Sequence, residues 1–149
     1  MAVGEAGVSQ AGSLGAHEND LQATLQALFQ QLAQSLAVLS GTAELVMEGK
    51  VGETRAQALR VWLQPNARQA EVAMHQLRDM RLTKSPALTE LSQNLTVLVL
   101  AADMLAQGQL SGADALTFYG LLRRNADGAI QSLADLRGQL LPDAPHVAG

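Results

Sequence analysis

The sequence predicts an all-α fold, an antiparallel four-helix bundle made of two similar helical hairpins. Three observations lead there. Apolar residues recur at three- and four-residue intervals through four long segments, the period that lines one side of a helix. The apolar content is mostly Leu and Ala, both good helix formers, and the aromatics are only Phe29, Trp62, Phe118 and Tyr119. Finally, the chain repeats its own pattern at an offset of 59 residues.

A chain of 149 residues, 48% hydrophobic, fits a single domain with a real core and argues against global disorder. Residues 1–17 are rich in Gly, Ala and Ser without sustained periodicity and are expected to form a flexible N-terminal tail; 142–149 read the same way at the C-terminus. Residues 18–141 are expected to be one bundle domain.

Each helix has its own start, stripe and stop. Asn19 or Asp20 can cap the first, whose stripe is Leu21, Leu25, Leu28, Leu32, Leu36, Leu39, Ala43 and Val46. Gly41 lowers helix propensity without ending the helix, and Gly49-Lys50-Val51-Gly52 stops it. Thr54 and Gln57 suggest a capping box for the second helix. Its expected buried side is Leu59, Trp62, Leu63, Ala70, Ala73, Leu77 and Met80, with Pro65 kinking or briefly interrupting it. Ser85-Pro86 opens the third helix as cap and first helical residue, ahead of Leu88, Leu91, Leu95, Leu98, Ala102 and Leu105. After Gly108-Gln109-Leu110, Ser111 and Asp114 start the fourth, where the carboxylate can accept an orphan amide proton. Its stripe is Leu122, Ala126, Ile130, Leu133, Leu136 and Leu140, with Gly128 a weak point and Pro142 the end.

The repeat aligns Leu32-Ala33-Gln34-Ser35-Leu36-Ala37-Val38-Leu39 with Leu91-Ser92-Gln93-Asn94-Leu95-Thr96-Val97-Leu98. Without a gap it continues through Ala43 and Ala102, Glu44 and Asp103, Gly49 and Gly108, Ala56 and Ala115, and Leu63 and Leu122. Segments 27–82 and 86–141 thus each read as helix, tight turn, helix. A lone hairpin cannot bury its stripe, whereas two can share a core, within one chain or between chains.

Residues 30–45 and 89–98 resemble the first helix of the dimerisation and histidine-phosphotransfer domain of bacterial sensor histidine kinases. That resemblance implies two tandem hairpins covering 27–141, with 54–82 and 111–141 as returning helices. In the family a phosphorylatable histidine followed by an acid opens the motif. Here Gln30 and Thr89 take its place, and neither offers an imidazole nitrogen; only Glu90 keeps the adjacent carboxylate. The resemblance therefore implies a degenerate domain that associates without transferring phosphate.

Other chemistry is weakly encoded. There is no cysteine, which removes disulfides, thiolate ligands and thiol nucleophiles. His17, His75 and His146 are isolated and lack zinc-site spacing; His17-Glu18 lies well before the aligned phosphoacceptor position. Glu44 and Glu48 share a helix face without a Glu-x-x-His partner, and the repeat leaves Asp103 as the counterpart of Glu44. Gly49-Lys50 lacks the rest of a phosphate-binding loop, and Ser35, Ser40, Ser92 and Ser132 have no nucleophile context. No catalytic, cofactor or metal residues are assigned.

The second helix is unusual in charge. Arg55, Arg60, Arg68, Arg78, Arg81 and Lys84 outnumber Glu53, Glu71 and Asp79 inside a chain of net charge −4. Together with Trp62, the arginines are the candidate protein interface, facing an acidic partner or a second copy in a homodimer. The overall charge and scarce aromatics disfavour nucleic acid. Residues 1–17 lack a secretion signal, and the most apolar run, 95–102, is too short to span a bilayer, so the expected location is cytoplasmic. The expected function is a non-catalytic interaction or scaffold domain, connected with bacterial signalling. The alternatives are a small-ligand or cofactor-binding bundle, with a pocket beside Trp62, Phe118 or Tyr119, and an enzyme whose site forms only in three dimensions.

Overall fold

A computed structural model describes the backbone of residues 2–141 and the side chains of residues 19–141. Four helices follow one another: α1 (Ala2–Met47), α2 (Glu53–Asp79), α3 (Pro86–Ala106) and α4 (Gly112–Leu140). Each packs on its neighbours in the chain, and α1 also packs on α4, whereas the diagonal pairs α1/α3 and α2/α4 have no close backbone approach among the described residues. With turns this short, neighbouring helices run antiparallel and the four close into an up-down-up-down ring. The core is the predicted stripes turned inward: Leu32, Leu36, Leu39, Leu63, Leu91, Leu98, Leu122 and Leu136 are shut off from solvent. Ala43, Ala67, Ala70, Ala102, Ala126 and Ala129 sit between them, where helix backbones come close.

The two hairpins correspond element by element. Under the 59-residue offset, the end of α1 at Met47 falls on the end of α3 at Ala106, and the start of α2 at Glu53 on the start of α4 at Gly112. Gly49 and Gly108 both adopt the left-handed conformation, at φ 69 and 70. Their amides close equivalent turns, onto Val46 O and Leu105 O, each at 3.1 Å. Gly52 and Ser111 flank the following helices with nearly identical extended backbones. Side chains follow suit: Asn66 donates to Trp62 O at 2.7 Å, and its counterpart Asn125 donates to Leu121 O at 2.8 Å.

Several local expectations need correction. Neither Asn19 nor Asp20 caps α1, because the helix continues back to Ala2, and no proline interrupts it. Of residues 1–17, expected as a tail, only the helical backbone from Ala2 is described; 142–149 lie outside the described residues. α2 starts one residue before Thr54 with Gly52 as its flanking residue, so the Thr54–Gln57 capping box does not form. Pro65 sits within α2 without interrupting it, its ring on the solvent side where the missing amide leaves no buried carbonyl stranded. Ser85 and Ser111 do occupy the cap positions, but neither makes a side-chain bond to the helix backbone. The Ser111 hydroxyl instead donates to Asp114 Oδ2 at 3.1 Å, so that carboxylate receives a hydroxyl proton rather than the expected amide proton.

The stripes also shift at their margins. Leu21 and Ile130 are exposed, and Leu59, Met80 and Leu88 are only half-buried. Trp62, expected on the buried side of α2, points outward and is 61% exposed. The inward face of α2 is instead narrow and built from Ala56, Leu63, Ala67, Ala70, Ala73, Met74 and Leu77. A bulky indole on that face would hold the backbones apart where alanines let them approach.

Candidate interaction surface

The cations of α2 and of the turn after it fall into two groups. Arg60 and Arg68 are engaged within the bundle. Arg60 Nε donates to Tyr119 Oη at 3.1 Å, and its guanidinium lies over the Tyr119 ring. Arg68 reaches Asp103 of α3 at 2.9 Å and Glu71 at 3.3 Å, while Gln64 also donates to Asp103 at 2.8 Å. The contacts to Asp103 orient α2 against α3, whereas Arg68–Glu71 lies within α2, and each exposed ion pair contributes at most about 1 kcal/mol. Arg55, Arg78 and Arg81 form no ion pair among the described residues, although Arg78 donates to the Ser92 hydroxyl at 3.2 Å. All three are exposed.

The repeat accounts for the bridge pattern. Glu44, the counterpart of Asp103, approaches Arg123 at 3.8 Å, and Arg123 is the counterpart of Gln64. Glu44 and Asp103 lie on helices that face each other diagonally and have no close backbone approach, and each faces a cation on a different neighbour. No group of three or more His, Asp or Glu that could hold a metal occurs among the described residues. His75 is exposed; the side chains of His17 and His146 lie outside the described residues.

Trp62 belongs to a surface that periodicity did not reveal. Gln31 of α1 donates to Gln69 O of α2 at 3.4 Å, which fixes the register of that antiparallel pair. Two helical turns along, seven residues forward on α1 and seven back on α2, the same register sets Val38 opposite Trp62. Both are exposed. One further repeat of that step sets Leu45, also exposed, opposite Arg55. The seam between α1 and α2 thus presents Val38, Leu45 and Trp62 with a cation at one end. Val61, 69% exposed, lies outside this seam, on the flank of α2 that meets the Ala106–Gly108 turn.

The corresponding seam of the second hairpin is better filled. Val97 and Leu121, the counterparts of Val38 and Trp62, are both half-buried, and Leu121 packs against the core. Of the aromatics expected beside a pocket, Tyr119 is 1% exposed with its hydroxyl held by Arg60, and Phe118 packs partly on the core. A cleft of about 400 Å³ does open nearby, but it lies between Arg60, Val61 and Gln64 of α2 and the Ala106–Gly108 turn.

No protein-family model, curated protein or solved structure matches the chain. None of the helices among the described residues is long and apolar enough to cross a membrane.

Proposed function

We propose that the chain is a non-catalytic interaction module that offers the α1–α2 seam to a protein partner or a second copy of itself. The observation that carries this reading is the exposure of Trp62, at 61%, with Val38 exposed across the seam in the register set by Gln31 and Gln69. An indole covered by a partner contributes roughly 2–3 kcal/mol through burial, and tryptophan and arginine are the side chains that most often anchor interfaces. Arg55 at the end of the seam adds orientation towards acidic groups. The same seam of the other hairpin, with Leu121 in place of the indole, lacks such an anchor.

We also read the two hairpins as a degenerate form of the histidine-kinase dimerisation domain, serving association in cytoplasmic signalling. Gln30 and Thr89, at the aligned phosphoacceptor positions, are both exposed on the first helix of their hairpins. A side chain there is accessible to a phosphodonor, but an amide or an aliphatic hydroxyl does not do the work of an imidazole.

Sedimentation over a range of concentrations, with Trp62 emission recorded in parallel, tests the interaction reading. A blue shift on self-association or on adding a partner, lost in Trp62→Ala, is the expected result. Acid-labile phosphate on the protein after incubation with labelled phosphodonors would contradict the non-catalytic assignment.

A further inference from the structure

At the opposite end of α2 from Arg55, a cleft of about 430 Å³ is lined by Arg78, Arg81, Thr83, Lys84, Leu88 and Thr89. Three of these six side chains are cations and none is a carboxylate. Asp79 and Glu90, each adjacent in sequence to a lining residue, do not line the cleft, and Glu90 accepts from Ser132 of α4 at 3.3 Å. No ion pair to Arg78, Arg81 or Lys84 forms among the described residues. Concentrating uncompensated positive charge in a concave surface raises the local potential and is unfavourable until an anion enters.

The backbone at Arg81 gives a second, independent sign. α1, α2 and α3 all end in the same turn, in which the second residue after the helix is left-handed and donates to the carbonyl three residues back. At α1 and α3 that residue is glycine, Gly49 and Gly108; at α2 it is Arg81, at φ 53. An L-residue pays roughly 1–2 kcal/mol to sit in this region where glycine sits freely. The strain holds a guanidinium at the rim of the cleft, and strain retained where glycine would relieve it is characteristic of functional positions.

We propose that this cleft binds a compact phosphate-type oxyanion, carried on a small molecule as a phosphomonoester or diphosphate. Guanidinium groups grip such oxygens in forked pairs of hydrogen bonds, the Lys84 ammonium adds a point charge, and the hydroxyl of Thr89 supplies a neutral donor. Leu88 gives one wall an apolar surface for the remainder of the ligand. The volume is that of a small-molecule site. An extended polyanion is a poorer occupant, since the basic set is confined to one turn of a chain with net charge −4.

The test uses the full chain, labelled with nitrogen-15 and titrated with pyrophosphate at constant ionic strength. Saturable shifts confined to residues 78–89 are expected. Arg81→Glu with Lys84→Glu should weaken binding by roughly tenfold or more, and Arg124→Glu on α4 should leave it unchanged. Arg81→Gly separates ligand from architecture: it should raise the melting temperature while weakening pyrophosphate binding. Shifts that sodium chloride reproduces at the same ionic strength, or that spread evenly over Arg55 and Arg124, would overturn the proposal. So would an Arg81→Gly protein that binds as tightly as the parent. Attachment to anionic lipid vesicles without any response to pyrophosphate would replace the small-molecule ligand by a membrane surface.

Discussion

Arg60 and Tyr119 stand at corresponding positions in the two hairpins, yet they touch each other, nitrogen to phenol oxygen at 3.1 Å. They belong to α2 and α4, which face each other diagonally without close backbone approach. A residue can meet its own counterpart only near the axis relating the two copies. The pair therefore marks where the approximate twofold runs through the bundle, and it ties together helices that otherwise communicate through their neighbours.

Removing the hydroxyl alone, in Tyr119→Phe, should destabilise the protein by about 1 kcal/mol, because Arg60 is partly exposed and can turn to water. Tyr119→Ala leaves a cavity and should cost roughly 3–5 kcal/mol. Urea unfolding of both variants and of Arg60→Ala, combined as a double-mutant cycle, measures the coupling across the axis.

Glycine-to-alanine substitution should act with opposite signs inside α1 and in the turns that follow α1 and α3. Gly49 is left-handed, so Gly49→Ala is expected to cost about 1 kcal/mol or more, and Gly108→Ala about the same. Gly41 lies inside the helix with open space where a Cβ would go, so Gly41→Ala should stabilise by up to about 1 kcal/mol. Thermal melts of the three variants decide it.

Trp62 and Leu63 are adjacent in sequence and opposed in burial. Leu63→Ala should cost about 2–5 kcal/mol, whereas Trp62→Ala, despite the larger deletion, should stay near 1 kcal/mol or below. Acrylamide should quench Trp62 emission in the isolated protein nearly as well as it quenches free tryptophan.

Glu48 and Lys50 pair at 2.8 Å in the turn after α1, and the hydrogen bond from Lys50 holds the Glu48 carboxyl below its ordinary range. The contact to Glu48 in turn raises Lys50. A depressed carboxyl stabilises the fold above its unfolded-state pKa and stops doing so as pH falls through its folded value. The pair should therefore persist at neutral pH and break only in acid below the usual glutamate range. At the alkaline end it should be lost as Lys50 deprotonates. Carbon-detected titration of the Glu48 carboxyl, compared in Lys50→Gln, checks the acid limb: the carboxyl should titrate at higher pH in the variant.

The turns and the starts of α3 and α4 are legible because those helix ends are written locally, in Gly49, Gly108, Ser85-Pro86 and Ser111, whereas the start of α1 is not, since its Gly-, Ala- and Ser-rich first residues carry no apolar period. The Leu stripes were legible because burial repeats with the helix period. Trp62 departs from the expected stripe for the same reason that Leu63 fits it. Neighbouring positions both fit a loose three-and-four pattern, and hydrophobicity alone favours the bulkier side chain, while close helix contact on α2 selects alanines. The surface features were less accessible. Opposing Val38 to Trp62 requires the register between two helices, and the Arg81 turn carries none of the usual left-handed signal because no glycine stands there. The basic excess of α2 was visible as composition, but not its division into arginines consumed inside the bundle and cations left around a cleft.

The ring of helices has a consequence for how it comes apart. Three of its four seams join helices that are consecutive in the chain, so most native contacts span short loops and form at small entropic cost. The seam between α1 and α4 alone joins the first element to the last, and nearly the whole chain must be organised before it can close. Its chemistry is nevertheless like that of the α2–α3 seam, with Glu44 and Arg123 standing where Asp103 and Gln64 stand. Two seams of similar composition therefore differ chiefly in the length of polypeptide that tethers them. Separating the two hairpins requires both of these seams to open, and only the α2–α3 seam has a short connection to guide its closing again.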